Sequence, residues 1–425
     1  EGRRTPDFRE GVAMPRRITT PRRASGSNQT LLGRYIFSPS APLGRGGFGQ
    51  VYKGLDNVDC VNVAIKIFRH DCFDGFAKAV SIYESIALQG QLCMGAGMWD
   101  RQTSCDNSLV RKTIVADLTG KDAAAILELI QHLDICKCMV TLLDFSRGPD
   151  GKPGIDEDSG LFFMIFELGD LSLRDRLDEH LQEGHGSMPV AEVRELLWSL
   201  VCIMWALHTI GFVHLDVKPE NIMLFRGPAG QEQWKLIDVD GAVPTGSAIL
   251  PTVCFSPMYM SPELARFMLA SKANKVGAEE EATSRLMDVW STGMVAIETM
   301  FLRPVLEPWY VQWKEDTGSS SQFFKWLADN GNEAIVSGDM HGFIHGIDAD
   351  LCDLLEGMLS RDPQNRRCMA QCLIHPYFSG LRLGQARGKD AYRRHMTFRR
   401  QVTDFTSFQR TQSTKEAVSK SCTVM

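Results

Sequence analysis

The stretch that most constrains the fold of this chain lies at residues 211–241. Two short runs rich in β-branched or apolar residues, Ile222 to Phe225 and Trp234 to Ile237, are separated by a turn that contains Gly and Pro. Two such runs around such a turn predict a β-hairpin. Because a hairpin brings the ends of its two strands together, polar residues that flank the strands are expected to share one site.

The polar residues beside this hairpin are of types that can act together on a phosphate ester. An acidic residue beside a substrate hydroxyl can accept its proton, and a nearby lysine can neutralise developing phosphate charge. An asparagine and a second aspartate can hold Mg²⁺ on the phosphates. The four candidates are Asp216, Lys218, Asn221 and Asp238.

The segment H-L-D-V-K-P-E-N, His214 to Asn221, resembles the catalytic loop of the eukaryotic protein kinases. Asp238 stands where that family has the aspartate of its D-F-G signature. The resemblance implies that Asp216 is the catalytic base, that Lys218 neutralises phosphate charge, and that Asn221 and Asp238 are the metal ligands. It also implies ATP and Mg²⁺ as cofactors.

A second part of the resemblance precedes this segment. Leu43 to Val51, L-G-R-G-G-F-G-Q-V, is a glycine-rich loop, and V-A-I-K ends at Lys66 after a hairpin's length of chain. In the family pattern the glycines let the backbone close over the ATP phosphates, and the lysine reaches the α- and β-phosphates. The glycines concerned are Gly44, Gly46 and Gly49.

The continuous apolar run from Leu161 to Gly169 is typical of a strand buried on both faces. By resemblance it is the fifth strand and the hinge between two lobes. Phe166 would line the back of the adenine pocket, and the backbones of Glu167 and Gly169 would bond the adenine edge. The apolar faces of the pocket are expected from Leu43, Val51, Ala64 and Met223.

A buried lysine needs a carboxylate partner, which the family places on the helix after the third strand. Glu84, which lies 18 residues after Lys66, is favoured for this role because of that spacing. An insertion at about 93–135 leaves a second candidate, Glu128, in the helical pattern Ala123 to Leu133.

The later part of the chain carries further landmarks of the same family. Tyr259 to Glu263, Y-M-S-P-E, matches the end of the activation segment, and Asp288 to Gly293 matches the start of the central helix of the larger lobe. Arg366 is then expected to pair with Glu263. The resemblance covers about residues 40–378.

Two departures from the family pattern lie next to the catalytic residues. Leu215 replaces the arginine that receives an activation-loop phosphate in many members, so phosphorylation is not expected to order the loop by that route. Val239 replaces Phe of D-F-G, and Asp240 falls on the Gly position unless one residue has been inserted there. The smaller Val239 is expected to loosen the packing between helix and activation segment, and Asp240 to perturb the metal site.

Together these features predict an α+β, two-lobed protein kinase fold, with a small antiparallel-sheet N-lobe that has one main helix and a large helical C-lobe. The N-lobe is expected at 31–169 and the C-lobe at 170–378. The apolar content of 44% is sufficient for a core of this size. Twelve cysteines without paired C-x-x-C spacing indicate neither a zinc site nor a disulfide framework, and hence a reducing compartment.

The net charge of −6 is distributed unevenly. Residues 1–30 carry seven arginines against three acidic residues, and residues 379–425 carry ten basic residues against three. Both tails are predicted to be disordered, and they leave an acidic body between them. The last four residues, Cys422 to Met425, resemble a C-a-a-X box, so we expect a cytoplasmic protein held peripherally at anionic membrane by farnesyl-Cys422 and the basic tail.

The function expected from the resemblance is transfer of the ATP γ-phosphoryl group to Ser or Thr of protein substrates, with nucleic acid not expected as a partner. Glu220 matches the position that contacts a basic side chain in arginine-directed members, and the acidic body favours cationic substrates. The alternative is a pseudokinase, which keeps the fold as a nucleotide-binding or scaffolding module without turnover.

Overall fold

A computed structural model of the chain describes residues 28–94, 137–227, 230–249, 255–272 and 282–381, with only the backbone described at 89–94. Cys422, Glu128 and nearly all of the two tails and of the predicted insertion lie outside the described residues. Gln29 and Thr30, at the end of the N-terminal tail, belong to a strand.

The first half of the described chain forms a six-stranded antiparallel sheet in the order β1-β2-β3-β4-β6-β5. Neighbouring strands in sequence mostly pair directly, which is the expected outcome of short connections. The strands are β1 (Gln29–Leu31), β2 (Tyr35–Arg45), β3 (Gly49–Asp56), β4 (Val61–Phe68), β5 (Leu142–Phe145) and β6 (Phe162–Glu167).

One long helix, α1 (Phe73–Met94), follows a short 3₁₀ turn at His70–Cys72 and packs beside the sheet. Phe76, Val80, Tyr83 and Ile86 are buried and recur at helical spacing, so they form its core-facing stripe. The rings of Phe76 and Phe162 lie 5.5 Å apart and join this helix to β6.

The hairpin predicted from the sequence is present in the structure. Strands β9 (Ile222–Arg226) and β10 (Glu232–Leu236) pair antiparallel, with Ile222 opposite Leu236. The short strand β7 (Leu171–Ser172) adds to β9, while β8 (Phe212–Val213) pairs with β11 (Val243–Pro244). A 3₁₀ turn at Pro219–Asn221 leads directly into β9, so the end of the catalytic segment is fixed to the hairpin.

The second half is helical. Its described helices are α2 (Leu173–Gln182), α3 (Val190–Thr209), α4 (Pro262–Lys272), α5 (Arg285–Phe301), α6 (Glu307–Thr317), α7 (Ser321–Ala328), α8 (Gly338–Ile347), α9 (Ala349–Met358) and α10 (Met369–Leu373), with a 3₁₀ turn at Pro376–Phe378. The predicted two-lobed arrangement of an antiparallel sheet with one main helix and a helical lobe is therefore confirmed.

Helices α3 and α5 form the centre of the helical lobe. Every residue from Leu196 to Thr209 is buried, as is every residue from Met287 to Met300. The apolar run at Leu196 to Val213 is thus a core helix and a strand. Within the described ranges, no helix is both long and apolar enough to cross a membrane.

Cysteines contribute to packing in the part of the chain that the structure describes. Seven of them are resolved there and all are free thiols; Cys138, Cys202, Cys352 and Cys372 are buried. The expectation that no disulfide framework supports this fold holds for these seven.

Candidate functional site

The side chain of Asp216 is held by hydrogen bonds from two other side chains. Lys218 Nζ donates to one carboxylate oxygen at 2.5 Å, and Ser256 Oγ donates to the other at 2.9 Å. Because Ser256 belongs to the activation segment and Lys218 to the catalytic segment, the two chain regions meet at this carboxylate. Asp216 is thus oriented as a proton acceptor for a hydroxyl that approaches beside Lys218.

The backbone just before Asp216 is fixed by a fully buried carboxylate. Asp288, in the first turn of α5, accepts hydrogen bonds from the amides of His214 at 2.7 Å and Leu215 at 2.8 Å. His208 Nε2 lies 2.8 Å from the same carboxylate. Leu215 has a left-handed backbone, with φ of +67°, and its side chain is buried. The central helix therefore determines the conformation of the catalytic segment.

Asn221 and Asp238, the predicted metal ligands, each offer side-chain oxygen atoms. The amide nitrogen of Asn221 donates to the Asp216 carbonyl at 2.9 Å, which leaves its amide oxygen as a potential ligand. Asp238 keeps about a third of its side chain exposed. Burial opposes its ionisation, but Lys66, the Asp240 amide and His214 outweigh burial and lower its pKa. An ionised carboxylate beside an amide oxygen is a donor set that suits a hard cation.

Lys66 lies in the same cleft and contacts two carboxylates. Its Nζ is 3.2 Å from Asp238 Oδ1 and forms a shorter ion pair with Asp240 Oδ2. Burial by itself would lower the pKa of Lys66, but the charges of Asp238 and Asp240 raise it above its ordinary value. Burial and the neighbouring Asp238 raise the pKa of Asp240 to about 7, although Lys66 acts in the opposite direction.

The structure does not bring Glu84 to Lys66. Glu84 is exposed on α1, one residue beyond the buried stripe, because each helical residue turns by about 100° from its neighbour. The inward position is held by Tyr83, whose hydroxyl donates to the Ile237 carbonyl at 3.1 Å. The expectation that Glu84 is the partner of Lys66 is therefore corrected: among the described residues, that partner is an aspartate of the segment after β10.

The glycine-rich loop is the tip of the β2–β3 hairpin. A Cβ on Gly49 would lie 2.1 Å from the Ile67 carbonyl oxygen, so only glycine fits there. Around Gly44 and Gly46, by contrast, the space within 4 Å is open. Val51 is paired with Lys66 across β3 and β4, so the loop and the lysine belong to one rigid sheet.

Most residues expected around the adenine lie together at the junction of the lobes. Ala64 is paired with Phe166 across β4 and β6. Gly169 lies against Met223, since a Cβ there would be 2.9 Å from the Met223 methyl. The amide of Glu167 donates to the Thr141 carbonyl at 3.2 Å.

Two of the residues expected to contact the nucleotide, Leu43 and Glu167, differ in their surroundings. Leu43 is 58% exposed and lies at the rim of the cleft, where a bound ligand would cover it. The Glu167 carboxylate accepts from the Thr141 amide at 2.7 Å and from Lys235 Nζ at 2.5 Å. Its side chain is therefore engaged within the protein, and contact between the Glu167 backbone and the adenine edge stays a prediction.

A charged cluster beside the catalytic segment was not foreseen from the sequence. Arg174 of α2 bonds Glu220 at 3.2 Å and the fully buried Glu298 at 2.7 Å. Tyr259 Oη also donates to Glu298 at 2.6 Å. Burial raises the pKa of Glu298 despite Arg174. The three partners are distant in sequence and match no fixed spacing, so local motif analysis had no signal for them.

The predicted pair between Glu263 and Arg366 is present. Arg366 binds both carboxylate oxygens, at 2.8 and 3.0 Å, and both side chains are buried. It also donates to the carbonyls of Ser360 and Leu286. The end of the activation segment is thereby attached to the base of the helical lobe.

The sequence matches the family model described as "Protein kinase domain" over residues 110–378. The chain is similar to Serine/threonine-protein kinase 36 of Mus musculus, with 26% identity over 340 residues, which are 80% of this chain and 19% of that protein. It thus spans about a fifth of that relative.

Other relatives match over a larger share of their length. Protein kinase gsk3 of Schizosaccharomyces pombe is 26% identical over 359 residues, which are 78% of this chain and 84% of that protein. Calcium/calmodulin-dependent protein kinase type 1B of Rattus norvegicus is 25% identical over 268 residues, 62% of this chain and 65% of that protein.

Proposed function

The chain belongs to the protein kinase family, and from that premise we propose that it transfers the γ-phosphoryl group of ATP to Ser or Thr of protein substrates. The observation that carries this proposal is the placement of Asp216 between Lys218 and Ser256. A carboxylate held in this way accepts a hydroxyl proton while a lysine beside it neutralises charge on the transferred group.

Each residue has a separate part in the proposed reaction. Asp216 orients the acceptor hydroxyl and takes its proton, and Lys218 stabilises negative charge at the same place. Lys66 binds the nucleotide phosphates from β4. Asn221 and Asp238 would hold Mg²⁺, which when bound neutralises phosphate charge and orients the group to be transferred. Positioning and charge neutralisation thus supply most of the rate.

The choice of Ser or Thr rests on Lys218 and on the Ser/Thr kinases to which the chain is similar. The competing proposal is a pseudokinase that binds nucleotide without turnover. The presence of Lys66, Asp216, Asn221 and Asp238 in one cleft favours catalysis.

The two proposals are separated by one assay. Purified protein is incubated with γ-labelled ATP, Mg²⁺ and a generic basic protein, and modified residues are mapped by mass spectrometry. We expect label on Ser and Thr, and its loss when EDTA removes the metal. Nucleotide binding by thermal shift without any transferred label would instead support the pseudokinase.

We further propose a modest preference for arginine two or three residues before the acceptor. Glu220 is about half exposed, so a substrate guanidinium can reach it, but Arg174 already occupies one side of its carboxylate. A substrate arginine must share Glu220 with Arg174, and exposed ion pairs contribute little. The gain in kcat/KM is expected to be no more than about fivefold.

Peptide arrays with and without these arginines measure that preference. Glu220→Gln should remove it, whereas Glu232→Gln, an exposed acidic residue paired with Arg226 on the hairpin, should leave it intact. Equal turnover of the two peptide sets by the wild type would contradict the proposal.

Activity is expected to be independent of phosphorylation in the activation segment. Leu215 is buried and uncharged, so it cannot bind a phosphate. The hydroxyl of Ser247 already donates a hydrogen bond to the Pro244 carbonyl at 2.7 Å. Replacing Thr245, Ser247 and Thr252 by Ala should therefore change kcat/KM by less than about tenfold. Thr252 lies outside the described residues.

Steady-state assays of the triple variant, made beside phosphatase-treated wild type, check this expectation. Ser256→Ala is measured separately because its hydroxyl contacts Asp216. A larger loss in the triple variant would show that a phosphate acts through another cation.

A further inference from the structure

The carboxylate closest to Lys66 belongs to the segment after β10 and not to helix α1. Asp240 is only 2% exposed, and its Oδ2 forms the closest ion pair with Lys66. Its amide also donates to Asp238 Oδ1 at 3.1 Å. The three residues therefore form one compact cluster in which a single lysine faces two carboxylates two residues apart.

Lys66 contacts both carboxylates, and its side chain is only 12% exposed. Under the proposed function, on which this inference rests, Asp238 is shared with a divalent cation. Asp240 then remains as the carboxylate that lies against the buried ammonium group. Removal of one partner from a buried ion pair leaves an uncompensated charge, which is strongly unfavourable.

Helix α1 does not provide this carboxylate in the described structure. Tyr83 of this helix contacts the chain just before the cluster: its ring lies 5.2 Å from that of Phe166, and its hydroxyl donates to the Ile237 carbonyl. The side chain thus fills the space between helix and hairpin with an aromatic ring. Glu84 faces away and is exposed.

We propose that Asp240 is the positioning residue that holds Lys66 toward the nucleotide phosphates, in place of a carboxylate on α1. Lys66 belongs to β4, and Asp240 belongs to the chain after β10. The two segments meet at the cleft. Nucleotide binding by this protein is then independent of any acidic residue on α1.

The test measures binding of MgADP, which needs no turnover, by isothermal titration on the full chain. Asp240→Asn should weaken binding at least about tenfold, because an uncharged amide no longer orients the ammonium group. Glu84→Gln is the matched control and should change the dissociation constant less than twofold. Equal effects of the two changes, or an unchanged constant in Asp240→Asn, would overturn the proposal.

A double-mutant cycle separates positioning from general damage to the fold. If Asp240 acts through Lys66, Asp240→Asn should have little further effect in a Lys66→Met background. Additive losses of binding affinity would instead mean that Asp240 supports the fold and does not act through Lys66. A second variant, Tyr83→Glu with Asp240→Gly, puts the carboxylate on α1 and should restore binding relative to Asp240→Gly.

These outcomes are distinct from failure of the proposed function. Wild type that binds MgADP with the expected Asp240 dependence, yet transfers no phosphate, would refute the kinase activity and leave this inference intact. Wild type that does not bind MgADP at all would overturn the inference.

Discussion

Asp216→Asn is expected to lower kcat by about 10²–10⁴-fold, the usual contribution of a positioned acid–base group. The amide has nearly the shape of the carboxylate: its oxygen can still accept from Lys218, and its NH2 group can donate to the hydroxyl oxygen of Ser256. It cannot take a proton from the acceptor hydroxyl, however. The loss should therefore appear in kcat, while binding of MgADP stays close to that of wild type.

Single-turnover assays with saturating MgATP measure this effect without the contribution of product release. Asp329→Asn is the matched control: its exposed carboxylate accepts from the Gly331 amide at 2.8 Å, in the loop after α7 of the helical lobe. Retention of more than a tenth of the activity in Asp216→Asn would exclude Asp216 as the base.

Arg366→Met is expected to lower the free energy of unfolding by about 3–5 kcal/mol, the typical cost of breaking a buried ion pair. Methionine keeps much of the apolar stem, but Glu263 would remain buried without a cation. The carbonyls of Ser360 and Leu286 would lose a donor as well. Chemical denaturation followed by tryptophan fluorescence measures the change.

The double variant Glu263→Gln with Arg366→Met tests the physical reason. Because the uncharged amide removes the uncompensated carboxylate, the double variant should be more stable than Arg366→Met alone. The surface variant Arg226→Met, which breaks only the exposed pair with Glu232, should change stability by less than about 1 kcal/mol. A similar loss from Arg226→Met would show that burial does not decide the effect.

The sequence was sufficient for the parts of this protein that depend on local pattern. The hairpin at Ile222–Arg226 and Glu232–Leu236 follows from two runs rich in β-branched or apolar residues around a turn. The pairing of Glu263 with Arg366 came from the family resemblance, and the structure has it. For the hairpin, the residues and their spacing left few alternative structures.

The partner of Lys66 was mispredicted because the answer depends on helix phase. A displacement of one residue along α1 moves a side chain from the buried face to solvent, and spacing counted from Lys66 does not fix that phase. Sequence pattern placed Asp240 near the metal but gave no distance to Lys66. The ion pair of Arg174 with Glu298 joins α2 to α5, two helices distant in sequence, which no local motif encodes.

The backbone at Leu215 has a consequence for how this kinase could evolve. The left-handed backbone of Leu215, with φ of +67°, costs roughly 1–2 kcal/mol of conformational energy. The hydrogen bond that the Leu215 amide donates to the Asp288 carboxylate offsets that cost. The backbone is thus already shaped for the catalytic loop, whereas the side chain is enclosed by apolar neighbours. An arginine introduced there would bring a charge into a dry site. A phosphate-operated switch therefore cannot be acquired in one mutational step, because the surrounding core must first be opened to water.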